Sequence, residues 1–444
     1  MRKKTFKRGV HPPYRKTATQ HLPLVTMPPP ERVVIPCSQH IGAPSEPIVS
    51  KGDEVKIGQP ISQAKGFVSV PSHASISGKV AAIEPLPHPL GMKAEAIVIE
   101  GDGEKSLADG IGDRQDWGAL TADQLKERIR DAGIAGLGGA TFPTHVKLSP
   151  PEDQPIDTVL LNGAECEPYI TADHRVMLEQ SEEIIEGLKI ILKVLNISRA
   201  YIGIEANKPD AIAKMEALVA KEPSIEVVPL QVKYPQGAEK QLIYAVTRRI
   251  VPAGALPMKV GCLVQNVGTA AAIYQAVARS TPLIERAVTV TGGGVREPKN
   301  LRVRIGTPFR EVIAFCGGTT EGAAKLVMGG PMMGIAQATD EVPVIKGTSC
   351  ILVLDREEAA LDIEPKPCIS CGRCVDQCPM RLIPSVMATL VEHERWDEAE
   401  DYGIMDCFEC GSCTYTCPSK RHLTHLFKYG KSVIAQRKKQ AQAA

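Results

Sequence analysis

The chain is poor in aromatic side chains, nearly without net charge, and lacks a long uninterrupted apolar run. Each absence excludes something. Aromatic residues make up 4% of 444 residues, so whatever cores it builds are aliphatic. With 52 basic and 51 acidic side chains the formal charge is +1, which gives no general basis for binding nucleic acid. The most apolar long stretch, Ile184 to Ile197, is interrupted by Glu186, Lys189 and Lys193 and is too short and too charged to span a bilayer. The first thirty residues are basic and proline-rich, with no apolar export segment, so a cytoplasmic location is expected. In that reducing compartment disulfides are rare, and cysteines serve as ligands or stay free.

Cysteine is what the chain does have. Eight of its thirteen cysteines fall within fifty residues. The other five, Cys37, Cys166, Cys262, Cys316 and Cys350, are scattered and mostly read as small buried hydrophobes. Basic residues crowd both ends: Arg2, Lys3, Lys4, Lys7 and Arg8, then Lys428, Lys431, Arg437, Lys438 and Lys439. They read as solvated, frayed tails, with docking on an acidic partner or an anionic membrane surface as the alternative.

The texture of the sequence divides the chain into a multidomain α/β protein. Residues 1–32, with His-Pro-Pro and Pro-Pro-Pro, read as an irregular arm. Residues 33–101 show short alternating apolar runs broken by Gly and Pro, the pattern of a small β domain. Residues 102–285 alternate strands and helices, as in a mainly parallel sheet covered on both faces. A helix is expected over Ala122–Ala132 and a single long one over Val176–Leu195. Residues 286–354 read as two β runs across a Gly/Pro turn, a helix at Phe309–Phe315, and a return, a β-grasp-like unit. Residues 355–425 are helical and cysteine-bearing, and 426–444 read as a basic tail.

The strongest chemical signal is Cys368-x2-Cys371-x2-Cys374-x3-Cys378-Pro379, repeated as Cys407-x2-Cys410-x2-Cys413-x3-Cys417-Pro418. This is the bacterial ferredoxin spacing, twice. Three closely spaced cysteines wrap one face of a cubane, and the fourth reaches the other cluster in two-cluster proteins. Cys368, Cys371, Cys374 and Cys417 are therefore assigned to one [4Fe–4S] cluster, and Cys407, Cys410, Cys413 and Cys378 to the other. Structural zinc also uses Cys-x2-Cys pairs, but it has no need of a third cysteine or a trailing Cys-Pro. The spacer Pro379–Asp406 reads largely as helix, which suits an α-helical ferredoxin module.

A second constellation lies upstream. Gly133, Gly136, Gly138 and Gly139 precede Phe142-Pro143-Thr144-His145-Val146-Lys147, so backbone amides could approach an anion with Lys147 supplying charge. Asn162-Gly-Ala-Glu165-Cys-Glu167-Pro168 follows a buried strand, and Gln265-Asn266-Val267-Gly268-Thr269 ends another apolar run. The carboxyl ends of strands in α/β sheets are where ligands sit. Helix capping and an ordinary glycine turn are the bland accounts of these segments.

Together these segments resemble the flavin-binding subunit of respiratory complex I and related hydrogenases: Gly133–Lys147 its GxxGxGGAxFPTxxK signature, Asn162–Pro168 its N-A-D-E-x-E-P, Gln265–Thr269 its N-N-V-E-T. The resemblance implies a Rossmann-like FMN- and NADH-binding domain. In it Gly136, Gly138, Gly139, Lys147, Asn162, Glu165 and Asn266 would hold FMN, Phe142 would contact the nicotinamide side, and Glu167 with Glu239 would help bind NADH. Ala135 and Leu137 replace the family's two arginines, Ala238 a glutamate of its G-E-E, and Gly268 the glutamate of its N-N-V-E-T.

The order of modules is similar to the RnfC family, a component of Rnf-type ion-translocating electron transport complexes. That resemblance implies a barrel-sandwich-like N-terminal domain, an SLBB-like β-grasp domain, and two [4Fe–4S] clusters fed by NADH through FMN. It also implies membrane and iron–sulfur partner subunits, indirect exchange with ferredoxin, and a peripheral place on the cytoplasmic face of the membrane. By analogy with biotinyl and lipoyl domains, Lys65 falls near the lysine those domains modify, although its neighbours Ala64 and Gly66 differ from theirs. A flavin-free iron–sulfur adaptor and a non-catalytic cluster scaffold are the alternative readings.

Overall fold

The computed structural model describes residues 3–443, so Arg2, counted above among the basic residues, lies outside them. In chain order the strands are β1 Leu24–Thr26, β2 Arg32–Pro36, β3 Glu46–Pro47, β4 Glu54–Val55, β5 Ser62–Gln63, β6 Gly78–Pro87, β7 Lys93–Gly101 and β8 Thr158–Gly163. They continue as β9 Ala200–Glu205, β10 Ile225–Leu230, β11 Cys262–Asn266, β12 Glu285–Thr291, β13 Lys299–Arg304, β14 Ala323–Met328, β15 Ile335–Ala336 and β16 Cys350–Asp355.

The N-terminal β unit is an antiparallel sheet ordered β2-β7-β6-β4, beside the short pair β3-β5. Alternation along the strands decides its faces. Val33, Ile35, Ile97 and Ile99 enter one core, while Val34, Ala96 and Val98 pack on the other side. Gly78, at φ +150°, is required there, because a Cβ would lie 1.9 Å from the Glu100 carbonyl oxygen.

The central unit is a parallel sheet ordered β10-β9-β8-β11. Its strands are continuous apolar runs, as expected where helices cover both faces. The order reverses between β8 and β11, and there the register sets Asn266 opposite Asn162 at the carboxyl ends of both strands. The expected helix at Ala122 runs to Asp131, with a capping box from Thr121 and Gln124. The single helix expected over Val176–Leu195 is instead two, Ala172–Glu179 and Ser181–Leu195. Gln180, at φ −125° and ψ 28°, leaves the helical region and breaks them.

The third sheet is mixed and six-stranded, ordered β1-β13-β12-β16-β14-β15. Its β12–β13 hairpin and the helix Phe309–Phe315 fall where the sequence indicates. Its edge strand β1 comes from the N-terminal arm, paired parallel to β13. The arm is therefore not irregular throughout. Phe6 and Val10 are buried, Lys4 pairs with Leu230, and Val10 pairs with Tyr234.

The C-terminal module is helical: Arg373–Gln377, Pro384–Glu392, Trp396–Asp401, Ser412–Thr416 and the 21-residue helix Leu423–Ala443. The basic segment after residue 425 is consequently part of a helix, not a frayed tail. Phe427 and Ile434 belong to the module's core, and Lys431 pairs with Glu409 at 2.6 Å. Apolar spacing on that helix outweighs the charges around it. No helix among the described residues is long and apolar enough to cross a membrane.

Candidate functional site

The two cysteine runs fold into matching local structures. Ser370 and Gly372 take φ of +53° and +72°, and Glu409 and Gly411 take +62° and +77°. Each run continues into a five-residue helix, Arg373–Gln377 or Ser412–Thr416, that ends on its fourth cysteine. The left-handed residues turn the backbone sharply, so that the first three cysteines of a run curl around one space.

Two hollows result. Cys378, Cys407, Cys410 and Cys413 line one, with Met387, Phe408 and Phe427 in its walls. Cys368, Cys371, Cys374 and Cys417 line the other, with Ser385 and Arg421. The fourth cysteine of each run thus lies with the first three of the other run. Each quartet is an all-sulfur donor set around one hollow, the donor set a cubane cluster needs. The first hollow is the more enclosed: Cys378, Cys410 and Cys413 are buried, whereas Cys368 and Cys371 are exposed. Burial pushes the Cys407 thiol up to about 12.

The glycine segment closes as a small hairpin, with the Gly136 amide donating to the Phe142 carbonyl at 2.9 Å. It lies against the end of β11. The Leu137 amide donates to Thr269 Oγ1 at 2.9 Å, and Arg286 donates to the Leu137 carbonyl at 3.0 Å. A Cβ on Gly138 would lie 2.6 Å from Asn266 Nδ2, while one on Gly139 would meet nothing within 4 Å. Asn266 has two tasks. Its Oδ1 caps the helix Val267–Ala278 through the Gly268 amide at 2.8 Å, and its Nδ2 donates to Asp173 at 2.6 Å. Asn162 Nδ2 donates to the Gly237 carbonyl at 2.8 Å, which ties the end of β8 to the loop before Glu239.

Lys147 and Glu239 meet directly. The Lys147 ammonium donates to Glu239 at 2.9 Å and to the Val264 carbonyl at 3.0 Å, with both side chains about a third exposed. Open space at Gly139, a backbone hairpin of small residues, two asparagines and a partly exposed lysine suit a ligand carrying an anionic group, which fits FMN. Phe142 is half-buried at the hairpin's far end.

Glu165 and Glu167 diverge. Glu165, at φ +46°, accepts from the Asp173 amide at 2.6 Å, and its second oxygen has no hydrogen-bond partner. Burial raises its carboxyl to about 7, opposed by the Lys16 and Lys208 cations. Glu167 accepts from the Met332 amide at 3.2 Å and the Met333 amide at 2.9 Å, in the loop 330–334 of the third unit. Burial raises its carboxyl to about 7 as well. Tyr234 bridges onward, its hydroxyl donating to the Cys410 carbonyl at 2.7 Å. Val10, Tyr234 and Cys410 form one apolar cluster, with Cys166, Met332 and Phe408 packed on it.

Sequence reasoning missed the buried charges beneath this site. Lys16, 5% exposed, donates to the Glu165 carbonyl at 2.8 Å, and Lys208 donates to the Ala164 carbonyl at 2.7 Å. Their carboxylate partners, Glu165 and Glu205, each lie 3.8 Å away. Lys16 stands in a polar run, Arg15 to Gln20, and no local pattern marks it as buried. Lys65, by contrast, is exposed and pairs with Glu46 at 2.7 Å, as a solvated turn lysine would.

Four family models match successive parts of the chain. Residues 4–104 match the RnfC barrel sandwich hybrid domain, 129–275 the Nuo51 FMN-binding domain, 287–336 the SLBB domain and 367–421 the 4Fe-4S dicluster domain. The C component of the proton-translocating ferredoxin:NAD(+) oxidoreductase complex of Clostridium ljungdahlii is 50% identical over 430 residues, 97% of this chain and 94% of that protein. Its Na(+)-translocating counterpart in Acetobacterium woodii is 49% identical over 436 residues, 98% of both chains. Among solved structures, an NAD+-reducing [NiFe]-hydrogenase superposes with a TM-score of 0.50 over 71% of this chain and 64% of its own, at 16% identity, a likeness of fold.

Proposed function

The chain belongs to the RnfC family, the C components of ion-translocating ferredoxin:NAD+ oxidoreductase complexes, and from that membership we propose that it is the peripheral member at which such a complex oxidises NADH. It would work on the cytoplasmic face of the membrane, passing electrons to membrane-bound and iron–sulfur partner subunits, reversibly and in exchange with ferredoxin. The observation that carries the reading is the Tyr234 bridge. One hydroxyl joins the unit bearing the glycine hairpin to the carbonyl of Cys410, so that unit and the cysteine module abut within one chain.

FMN, when bound, takes electrons from NADH as a pair and gives them up singly, which is what clusters accept. The rest falls to the protein's own side chains. Gly136, Gly138 and Gly139 keep backbone close and Cβ atoms away, and Lys147 balances the phosphate. Asn162, Asn266 and Glu165 would help hold the flavin at the ends of β8 and β11, in a Rossmann-like reading of the strand order β10-β9-β8-β11. Phe142 and Glu239 would face the nicotinamide nucleotide. Glu167 is better read as a positioning residue, since backbone amides of the loop 330–334 occupy both its oxygens. The quartet Cys378, Cys407, Cys410 and Cys413, which Tyr234 touches through the Cys410 carbonyl, would receive electrons first, and the quartet Cys368, Cys371, Cys374 and Cys417, with two exposed cysteines, would be the exit. Burying the first and exposing the second suits a path that ends at a partner's surface.

Purified protein tests the reading. Acid treatment is expected to release FMN, an iron count to give two clusters, and NADH to bleach cluster absorbance. Clusters that stay oxidised when an FMN-loaded preparation meets NADH would overturn it. Iron without extractable flavin would return the adaptor reading.

A further inference from the structure

The segment 8–10 of the N-terminal arm touches both cysteine runs. The Arg8 guanidinium donates to the Val375 carbonyl at 2.8 Å, and the Gly9 amide donates to the Gln377 carbonyl at 3.1 Å. Val375 and Gln377 lie between Cys374 and Cys378, in the short helix Arg373–Gln377. The Val375 carbonyl also accepts from the Cys378 amide at 3.3 Å, so Arg8 adds a second donor at the turn that leads into that cysteine, and Gly9 supplies one to the Gln377 carbonyl at the helix end. Val10 then packs with Tyr234 and Cys410 of the second run, its amide donating to the Tyr234 carbonyl at 2.8 Å. Gly9, at φ +83°, allows this approach, since a Cβ would lie 2.5 Å from the Tyr234 carbonyl oxygen.

A surface tail would not be built this way. The two residues are 367 positions apart in the chain, so only folding brings the charge of Arg8 to Val375. Two further observations concern sign. Its hydrogen bond to the Val375 carbonyl seats the positive charge three residues before Cys378, on the helix that ends on that cysteine. The described carboxylates include none in hydrogen-bond contact with Arg8, whose side-chain bond goes to a carbonyl instead. A guanidinium is permanently charged and acts on its surroundings at any working pH.

We propose that Arg8 is a positioning and potential-setting residue for the cluster held by Cys378, Cys407, Cys410 and Cys413. It pins the helix that ends on Cys378, and its charge favours the reduced cluster, because reduction adds one negative charge beside a fixed positive one. The quartet next to Tyr234 thereby becomes a better acceptor for electrons leaving the flavin one at a time. This inference rests on the two-cluster reading given above.

The test is a redox titration of the full-length protein followed by electron paramagnetic resonance, on wild type, Arg8→Gln and Arg8→Lys. Arg8→Gln is expected to move one cluster to a more negative midpoint potential and leave the other where it was. Arg8→Lys, which keeps the charge, is expected to lie nearer wild type. Unchanged potentials in iron-replete Arg8→Gln overturn the inference alone, whereas a wild-type protein without cluster iron overturns the two-cluster reading with it. If Arg8→Gln loses iron, Arg8→Met, which keeps the packing of the stem, takes its place. Iron loss in both neutral variants, with Arg8→Lys replete and near the wild-type potential, supports the role of the charge. Iron loss in all three variants overturns it.

Discussion

At the scale of single residues, two glycines separate the demands of the fold from those of a ligand. Gly138 packs against Asn266, so Gly138→Ala disturbs an asparagine that caps one helix and holds Asp173. Gly139 faces open space, so Gly139→Ala should fold normally. If the flavin occupies that space, both variants should fall at least about tenfold in FMN affinity, a change of ~1.4 kcal/mol. Flavin titration of the stripped proteins checks this, and thermal melting should show that only Gly138→Ala loses stability. Such glycines were legible, because backbone approach leaves few alternatives to Gly. Lys346 was not. It is buried, donating at 2.8 Å to the carbonyls of Pro71 and Gly133, and burial lowers its ammonium to about 7. Above that value the folded chain has released a proton that the unfolded chain holds until near 10.5. Stability should therefore rise with pH through that window, and the folded state bears the full penalty below it. Urea midpoints of wild type against Lys346→Met should diverge from about pH 7 upward in favour of wild type, and a flat difference would contradict the burial argument.

Elements were legible where period and covalent spacing agree. The repeated cysteine run dictates its loop and short helix, and Phe309–Phe315 follows its apolar stripe. The break at Gln180 was hidden, because Leu178, Ile184 and Ile185 continue a helical pattern across a residue whose backbone is not helical. The C-terminal helix was hidden for the opposite reason. Its lysines and arginine dominate the composition, while three buried side chains, Leu423, Phe427 and Ile434, fix it to the cysteine module. Phe427 is 1% exposed and lines the hollow of Cys378, Cys407, Cys410 and Cys413. Phe427→Ala should destabilise that module by ~3–5 kcal/mol and lose iron from one cluster first. Ending the chain after Gln436 removes only exposed residues of this helix among those described, and iron should stay at the wild-type level. Iron analysis of both variants decides whether the helix is a structural member or an appendage.

For the whole molecule, the sequence displays modules in a row, but the arm that ties them together had no local signature. Between Lys4 and Thr26 it adds a bridge to β10, touches the helix before Cys378, seats Lys16 under Glu165 and supplies β1 to the third sheet. None of these contacts has a period or a motif, because each is set by a distant partner. Tyr234 stands at the same junction from the other side. Removing its hydroxyl in Tyr234→Phe leaves the Cys410 carbonyl without its 2.7 Å donor, a loss of ~1–3 kcal/mol where the group is buried. The ring stays, so the apolar cluster with Val10 should persist. Among the site residues the Tyr234 hydroxyl meets Glu167, at 3.5 Å, so NADH oxidation by an artificial acceptor that takes electrons at the flavin should keep its KM and rate. Transfer into the clusters depends on how the cysteine module sits against the sheet, and it should slow. Stopped-flow absorbance, with flavin and cluster bands followed separately, resolves the two steps. A fall in the cluster phase alone supports a junction that sets the spacing between the two centres. An equal fall in both phases would mean that Tyr234 acts on the nucleotide site, and the bridge would no longer explain how electrons leave it.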